Sequence, residues 1–289
     1  MTATILRKDR FFYTALFGLW AVFLLVRFGG HTYFGSPFES AGFERMAGGM
    51  SKISLLRNSL AELQKNLLEE KNPEEKPHIL QNIGCAYYDL YREINDRTLL
   101  DSALTFVYQS TIENPGVARF HYNFGRLFTE IGDQKRALQQ YEAALACDPS
   151  HVLALSNAGA CSYFAFGQGR KAAGYFGRAL VIDSMLPMCH IILGLISLDA
   201  KDYIAARLNF EKEAAADEMS LVKCKYPLSA ENIRYAASLA HQNLMTLYST
   251  RFRDRAKATE HLNQYLAFET DRRKKDQAAL EFGKYWASR

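Results

Sequence analysis

The chain has 289 residues, of which 48% are hydrophobic and 23% charged, and its formal net charge is +4. That is ordinary composition for one or two globular domains with real cores, and the charge is too small to argue for a nucleic-acid partner. The seven prolines fall outside the strong helical patterns and no run of alternating β-branched residues stands out, so an all-α chain is expected.

The N-terminus opens on three basic residues, Arg7, Lys8 and Arg10, followed by an apolar run over residues 11–26 and then Arg27. Sixteen helical residues span ~24 Å, short of a ~30 Å hydrocarbon core. The flanking arginines can snorkel outward, and about ten strongly apolar residues at roughly −0.3 to −0.6 kcal/mol each favour insertion. A cleaved signal peptide is the competing reading, but no A-x-A site follows; "RFGGHTYFGSPF" is bulky and charged. Residues 1–28 are therefore read as a single-pass membrane anchor. Basic residues cluster before the run, which places the N-terminus in the cytoplasm and the rest of the chain outside it, in the periplasm of a bacterium. Five cysteines, an odd number with no C-x-x-C pair, read as small buried thiols and pull weakly toward a reducing compartment.

Residues 29–50 hold six glycines and read as a juxtamembrane linker. Residues 51–71 form a helical pattern that would cover the elements after it. From there the sequence repeats. In residues 118–151, Gly125 stands at place 8, Phe128 at 11, Gly132-Asp133 at a turn, Ala137 at 20, Tyr141 at 24, Ala144 at 27 and Pro149 at 32. Residues 152–186 carry Gly159, Ala172, Phe176 and Ala179, with one extra residue near the turn. Residues 187–220 carry Gly194, Ala206, Phe210 and Ala214. Upstream, residues 77–116 carry Gly84, Tyr87, Ala103, Ser110 and Pro115, with a turn expected to be about seven residues longer around "REINDRTLL". A looser copy spans 229–270 with Tyr248, Ala258, Leu262 and Tyr265, and residues 271–288 read as a solvating end helix.

Successive glycines at 84, 125, 159 and 194 are 41, 34 and 35 residues apart. Small residues at places 8, 20 and 27 let two helices cross closely, aromatic residues at 11 and 24 fill the gaps, and proline stops the second helix. This pattern closely resembles the tetratricopeptide (TPR) repeat. The resemblance covers about 200 residues and implies an all-α solenoid of helical hairpins over residues 51–289, with one N-terminal transmembrane helix ahead of it.

No catalytic constellation appears. H-E-x-x-H, G-x-S-x-G and Walker-type patterns are absent, and "GQGR" at 167–170 lacks the strand and glycine pattern of a phosphate cradle. His121 and His190, both at place four, read as packing histidines. No cofactor, metal or enzymatic activity is expected. In the TPR family, first-helix places 2, 5, 6, 9 and 12 tend to face a concave inner surface. Place 6 holds Asn82, Asn123, Asn157 and, in the loose copy, Asn243, while Ile192 breaks the series. An amide donates and accepts, so a row of them suits the backbone of an extended peptide. Arg119 and Arg126, with Tyr122 between, add a basic, aromatic patch that would hold a carboxylate or phosphate. The set that grips chaperone tails in some TPR proteins is incomplete, with Gln81, Cys85 and Leu153 at its places. Arg251, Arg253, Arg255 and Lys257, then Arg272, Arg273, Lys274 and Lys275, form a second basic surface. It reads as a solvated end or as a dock for an acidic partner or anionic lipid.

These features point to a membrane-anchored scaffold or adaptor that binds protein partners and organises a larger complex, with membrane lipid contacted through residues 11–26. The alternatives are a permanent structural subunit of a membrane complex and, less favoured, an enzyme with a groove site.

Overall fold

One turn design recurs along the chain: a residue in the left-handed region, then an aspartate that caps the next helix. Asn95 (φ 60°), Gly132 (φ 84°), Lys201 (φ 60°) and Arg253 (φ 56°) are each followed by an aspartate. Asp96, Asp133, Asp202 and Asp254 accept hydrogen bonds from the backbone N–H of the second or third residue of the helix. The cap satisfies donors that the first turn leaves open, and the preceding residue reverses the chain in two or three positions. Gly167 also has a positive φ (64°), but Gln168 caps nothing with its side chain.

The computed structural model describes residues 51–186, 188–215, 230–269 and 271–288, and all regular structure among them is helical. The helices are α1 (Lys52–Glu69), α2 (Lys76–Ile94), α3 (Arg97–Glu113), α4 (Ala118–Glu130), α5 (Gln134–Cys147), α6 (Val152–Ala160), α7 (Gly169–Ile182), α8 (Cys189–Asp199), α9 (Tyr203–Ala214), α10 (Ala230–Leu247), α11 (Arg255–Phe268) and α12 (Arg272–Ala287). They fall into two compact units that divide between Gly167 and Gln168. The all-α expectation holds. The expected span at residues 11–26 and the linker at 29–50 lie outside the described residues, and no described helix is long and apolar enough to cross a membrane.

In the first unit, α2 pairs with α3 and α4 with α5, and each hairpin stacks on the next. Close crossing depends on the glycines. A Cβ on Gly84 would sit 2.6 Å from Val107 Cγ2, and one on Gly125 would sit 2.7 Å from the Tyr141 ring. Ala103, Ala137 and Ala144 face those crossings with no exposed surface, and Tyr141 is 1% exposed. An aromatic side chain buried this way contributes about 1.5–3 kcal/mol. α1 lies on α2, with Leu56 buried and Gln64 Nε2 donating to Tyr87 Oη at 3.0 Å.

In the second unit α8 pairs with α9 and α10 with α11, and α9 packs on α10. Ile191, Ala206, Phe210, Ala240, Leu244 and Tyr248 form its core, against which Phe282 and Trp286 of α12 pack. Gly194 lets α8 approach Phe210 as Gly125 does for Tyr141.

Two local expectations change. The first hairpin has no lengthened turn: only Asn95 and Asp96 separate its helices, and the additional residues extend α2 and α3 to 19 and 17 residues, against 13 and 14 in α4 and α5. Helix is the cheaper use of seven residues that can keep burying Leu90 and Leu100. The extra residue of the third repeat is absorbed by a π-helical turn, Cys161–Ala165, which continues α6. A single-turn π-bulge is how a helix accommodates one inserted residue.

Candidate interaction surface

Helices α2, α4 and α6 of the first unit carry most of the singled-out residues, and those residues do not behave alike. Asn82 is half-buried and makes no hydrogen bond to a described residue. Asn123 is 5% exposed and donates its amide to Cys85 Sγ at 3.6 Å. Asn157 is half-buried beside the Tyr122 hydroxyl. In the second unit Asn243 turns back on its own helix, donating to the Leu239 carbonyl at 2.8 Å. One amide of the row is thus free, and Asn123 and Asn243 are committed to the protein.

Arg119, Tyr122 and Arg126 likewise separate. Arg119 is exposed and without an ion pair, its guanidinium 6.0 Å from the Phe120 ring. Tyr122 and Arg126 are 2% and 4% exposed. Arg126 stacks on aromatic rings, with Cζ 5.7 Å from the Tyr88 centroid and 5.9 Å from that of Tyr122. A guanidinium tolerates such burial because it is weakly hydrated and its face is attracted to a ring. Spacing alone placed Arg126 on the same face as Arg119; the tyrosines at 88 and 122 are the signal that it turns inward.

Around Arg126 runs a polar seam joining α2 to α4. Tyr88 donates to Glu130 Oε2 at 2.9 Å and Tyr91 to Glu130 Oε1 at 3.3 Å. Gln81 is wholly buried and accepts from Ser110 Oγ at 2.6 Å. Cys85 lies between Gln81 and Asn123. Burial, then the Asp89 carboxylate, pushes its thiol up to about 12, although Arg126 and Arg119 pull it back. A thiol held that high is a packing group, not a nucleophile. Burial also lifts Tyr122 to about 12. The seam's hydrogen bonds from Tyr88 and Tyr91 to Glu130, and from Asn123 to Cys85, tie α2 to α4 and hold two hairpins in register.

The histidines have a part that packing alone did not suggest. His121 bridges two elements, its Nδ1 at 2.8 Å from Gln140 Oε1 and its Nε2 at 2.9 Å from the Pro115 carbonyl. His190 Nδ1 is 3.3 Å from Asn209 Oδ1, and His241 Nδ1 is 3.0 Å from His261 Nδ1. Each pair is 19 or 20 residues apart and ties a first helix to its second. The recurrence of a polar residue 19 or 20 positions after each of these histidines was the available signal. Of the cysteines, Cys161 and Cys189 are buried, Cys85 is half-buried and Cys147 exposed, all as free thiols; Cys224 lies outside the described residues.

Both basic runs in the second unit are on the surface. Arg251, Arg253, Arg255 and Lys257 are exposed. Arg272 and Lys274 make long ion pairs, to Asp276 at 3.9 Å and Glu269 at 4.0 Å.

No family model and no curated protein matches the chain. Solved structures do match its fold. MamA covers 70% of this chain over 96% of its own length at 17% identity, with a TM-score of 0.52. PilF of Pseudomonas aeruginosa covers 80% over its full length at 15% identity and 0.53. YrrB, a TPR protein with an unusual peptide-binding site, covers 77% over 97% of its length at 18% identity and 0.51. The TPR fold inferred from the glycine and alanine spacing is therefore the fold of this chain: an all-helical array of tetratricopeptide-type hairpins.

Proposed function

We propose that the chain is a protein-interaction scaffold, held at a membrane by residues 11–26 and binding an extended segment of a partner along its first helices. The observation that carries the reading is the TPR-type array itself: stacked hairpins whose first helices leave Asn82 and Arg119 without ion pair or hydrogen bond to a described residue. An amide suits a peptide backbone and a guanidinium suits a carboxylate. The buried seam of Gln81, Asn123 and Arg126 holds the hairpins in register beneath that surface. A membrane tether confines partners to a plane and raises their effective concentration, which suits the assembly of a larger complex. The basic N-terminus motivates a cytoplasmic start and an extracytoplasmic array.

Co-purification from mild detergent with wild-type chain and an Asn82→Ala, Arg119→Ala double variant tests it. Both residues are off the core, so melting should stay within about 0.5 kcal/mol of wild type. A charged hydrogen bond is worth about 1.5–3 kcal/mol, so partner affinity should fall about tenfold or more. Full affinity in the folded double variant removes the first-helix surface from the reading. Arg126 is unsuited to this test, because truncating it opens a hole between Tyr88 and Tyr122.

A further inference from the structure

Three hairpins carry the same side-chain tie, and one of them builds it from different chemistry. In α4–α5 and α8–α9 a histidine on the first helix meets an amide on the second. His121 Nδ1 and Gln140 Oε1 are 2.8 Å apart, and His190 Nδ1 and Asn209 Oδ1 are 3.3 Å apart. In α10–α11 the amide is replaced by a second histidine, with His241 Nδ1 and His261 Nδ1 at 3.0 Å. The register is kept. The partner stands 19 residues on in the first two and 20 in the last, where the π-helical turn Tyr248–Phe252 takes up the additional residue.

The exchange changes what a proton does. An amide oxygen accepts from an imidazole N–H whether the ring is neutral or charged, so acid leaves the first two ties closed. Two imidazole nitrogens need one proton between them. The ring centroids of His241 and His261 are 5.3 Å apart, so the two Nδ1 atoms lie between the rings and point at each other. A neutral pair makes an N–H···N bond, and a single imidazolium still donates to its neutral neighbour. When both rings are charged, two N–H groups face one another and no acceptor is left.

The surroundings hold the rings in this arrangement. Phe268 stacks on His241 at 5.8 Å and Tyr248 on His261 at 5.5 Å. His241 is 8% exposed, while His261 is half-buried and gives solvent a route to the pair. Burial, then His261, depresses His241 to about 4. Burial lowers His261 too, although Glu260 of α11 and Glu211 of α9 pull it up, and Lys257 of α11 pushes it down. Glu211 is itself engaged, accepting from Tyr248 Oη at 3.0 Å.

We propose that the His241–His261 pair is an acid-released latch, which closes the α10–α11 hairpin while one proton lies between the two rings and lets it open when both are charged. An opened hairpin takes up both protons near the ordinary histidine value of about 6.5. Falling pH therefore drives opening before the closed pair itself takes its second proton. The stabilisation is complete above about pH 7.5 and is lost as pH falls through about 6.5 toward 4. The latch is independent of the first-helix reading and stands or falls separately from it.

Hydrogen exchange followed by mass spectrometry, on the full chain in detergent at pH 7.0 and 4.5, tests it, with rates corrected for the intrinsic pH dependence of amide exchange. Protection in α10 and α11 should fall about thirtyfold or more on acidification. The α4–α5 hairpin, tied by His121 and Gln140, should lose at least about fivefold less. His261→Gln installs the amide partner used by the other hairpins. It should cut the α10–α11 loss by about fivefold or more and keep protection at pH 7.0 within about threefold of wild type. His241→Gln makes the reciprocal exchange and gives the same reading should His261→Gln fold poorly. Equal acid losses in the two hairpins would overturn the latch in favour of general acid unfolding. The full loss retained in a folded variant would assign the acid response to another group. Protection already lost at pH 7.0 in both variants would overturn it as well, because an amide tie must hold where the shared proton did.

Discussion

Glu213 is the least expected ionisable residue in the second unit. It is 4% exposed at the end of α9 and accepts the Met188 N–H at 2.9 Å, at the start of α8. Burial pushes its carboxyl up to about 7, against which the N–H groups of Met188, His190 and Ile191 pull it down. The folded state therefore holds a proton that the unfolded state, with an ordinary carboxyl near 4.3, has lost. Its stabilisation is complete below the unfolded value and disappears as pH rises through about 7. His241 works in the opposite sense: burial, then His261, depresses it to about 4, so stability rises with pH between about 4 and 6.5. Burial also lowers His151, His190 and His261, and all four histidines keep adding stability for about a unit above pH 6.5, so the Glu213 contribution is read as a difference between wild type and Glu213→Gln. Between pH 6.5 and 8.5, urea midpoints should show wild type losing roughly 1 kcal/mol relative to Glu213→Gln, in which this contribution is flat. An unchanged slope in that variant would assign the effect to another group.

At the scale of the helix pair, the glycines separate into those that make contacts and those that do not. A methyl on Gly125 would press into the Tyr141 ring at 2.7 Å and toward the Ala137 carbonyl at 3.2 Å, so Gly125→Ala should destabilise by about 1–3 kcal/mol. Gly174, within α7, has open space where its Cβ would stand, so Gly174→Ala should stabilise by about 0.5–1 kcal/mol. Thermal melts of the two variants shifting in the same direction would contradict this account of the hairpins. The hairpins were legible because helix crossings demand small residues at fixed spacing, and Gly84, Gly125 and Gly194 all meet a second-helix side chain. The path of the inserted residues was less legible. Seven in the first repeat read as loop because the pattern "REINDRTLL" is polar, yet polar residues on a solvated helix face cost nothing. The surface was legible only in part. Spacing sets the face of a residue but not its depth, so Arg119 and Arg126 looked equivalent until the rings of Tyr88 and Tyr122 were seen to enclose one of them. The hydrogen bond from Tyr285 to the Ser249 carbonyl joins residues 36 positions apart, which no local pattern records.

For the whole molecule, the question is what would hold the array at a membrane in the proposed reading. None of the described helices is long and apolar enough to cross one, and their exposed apolar residues, such as Val181, Ile204 and Leu208, stand on helices that bury their other faces. The anchor proposal thus rests on residues 11–26, whose insertion is worth several kcal/mol on a scale of about −0.3 to −0.6 kcal/mol per strongly apolar residue. The competing force is electrostatic: exposed cations near an anionic surface contribute about 1 kcal/mol each, and that attraction is screened by salt. The two can be told apart by a chain lacking residues 1–28. It should leave the membrane fraction at every salt concentration, whereas the full chain should resist both high salt and alkaline carbonate and yield only to detergent. If the shortened chain stays on membranes at low salt and leaves at high salt, peripheral charge is the tether. If it resists carbonate as the full chain does, the anchor lies elsewhere and residues 11–26 lose the role proposed for them.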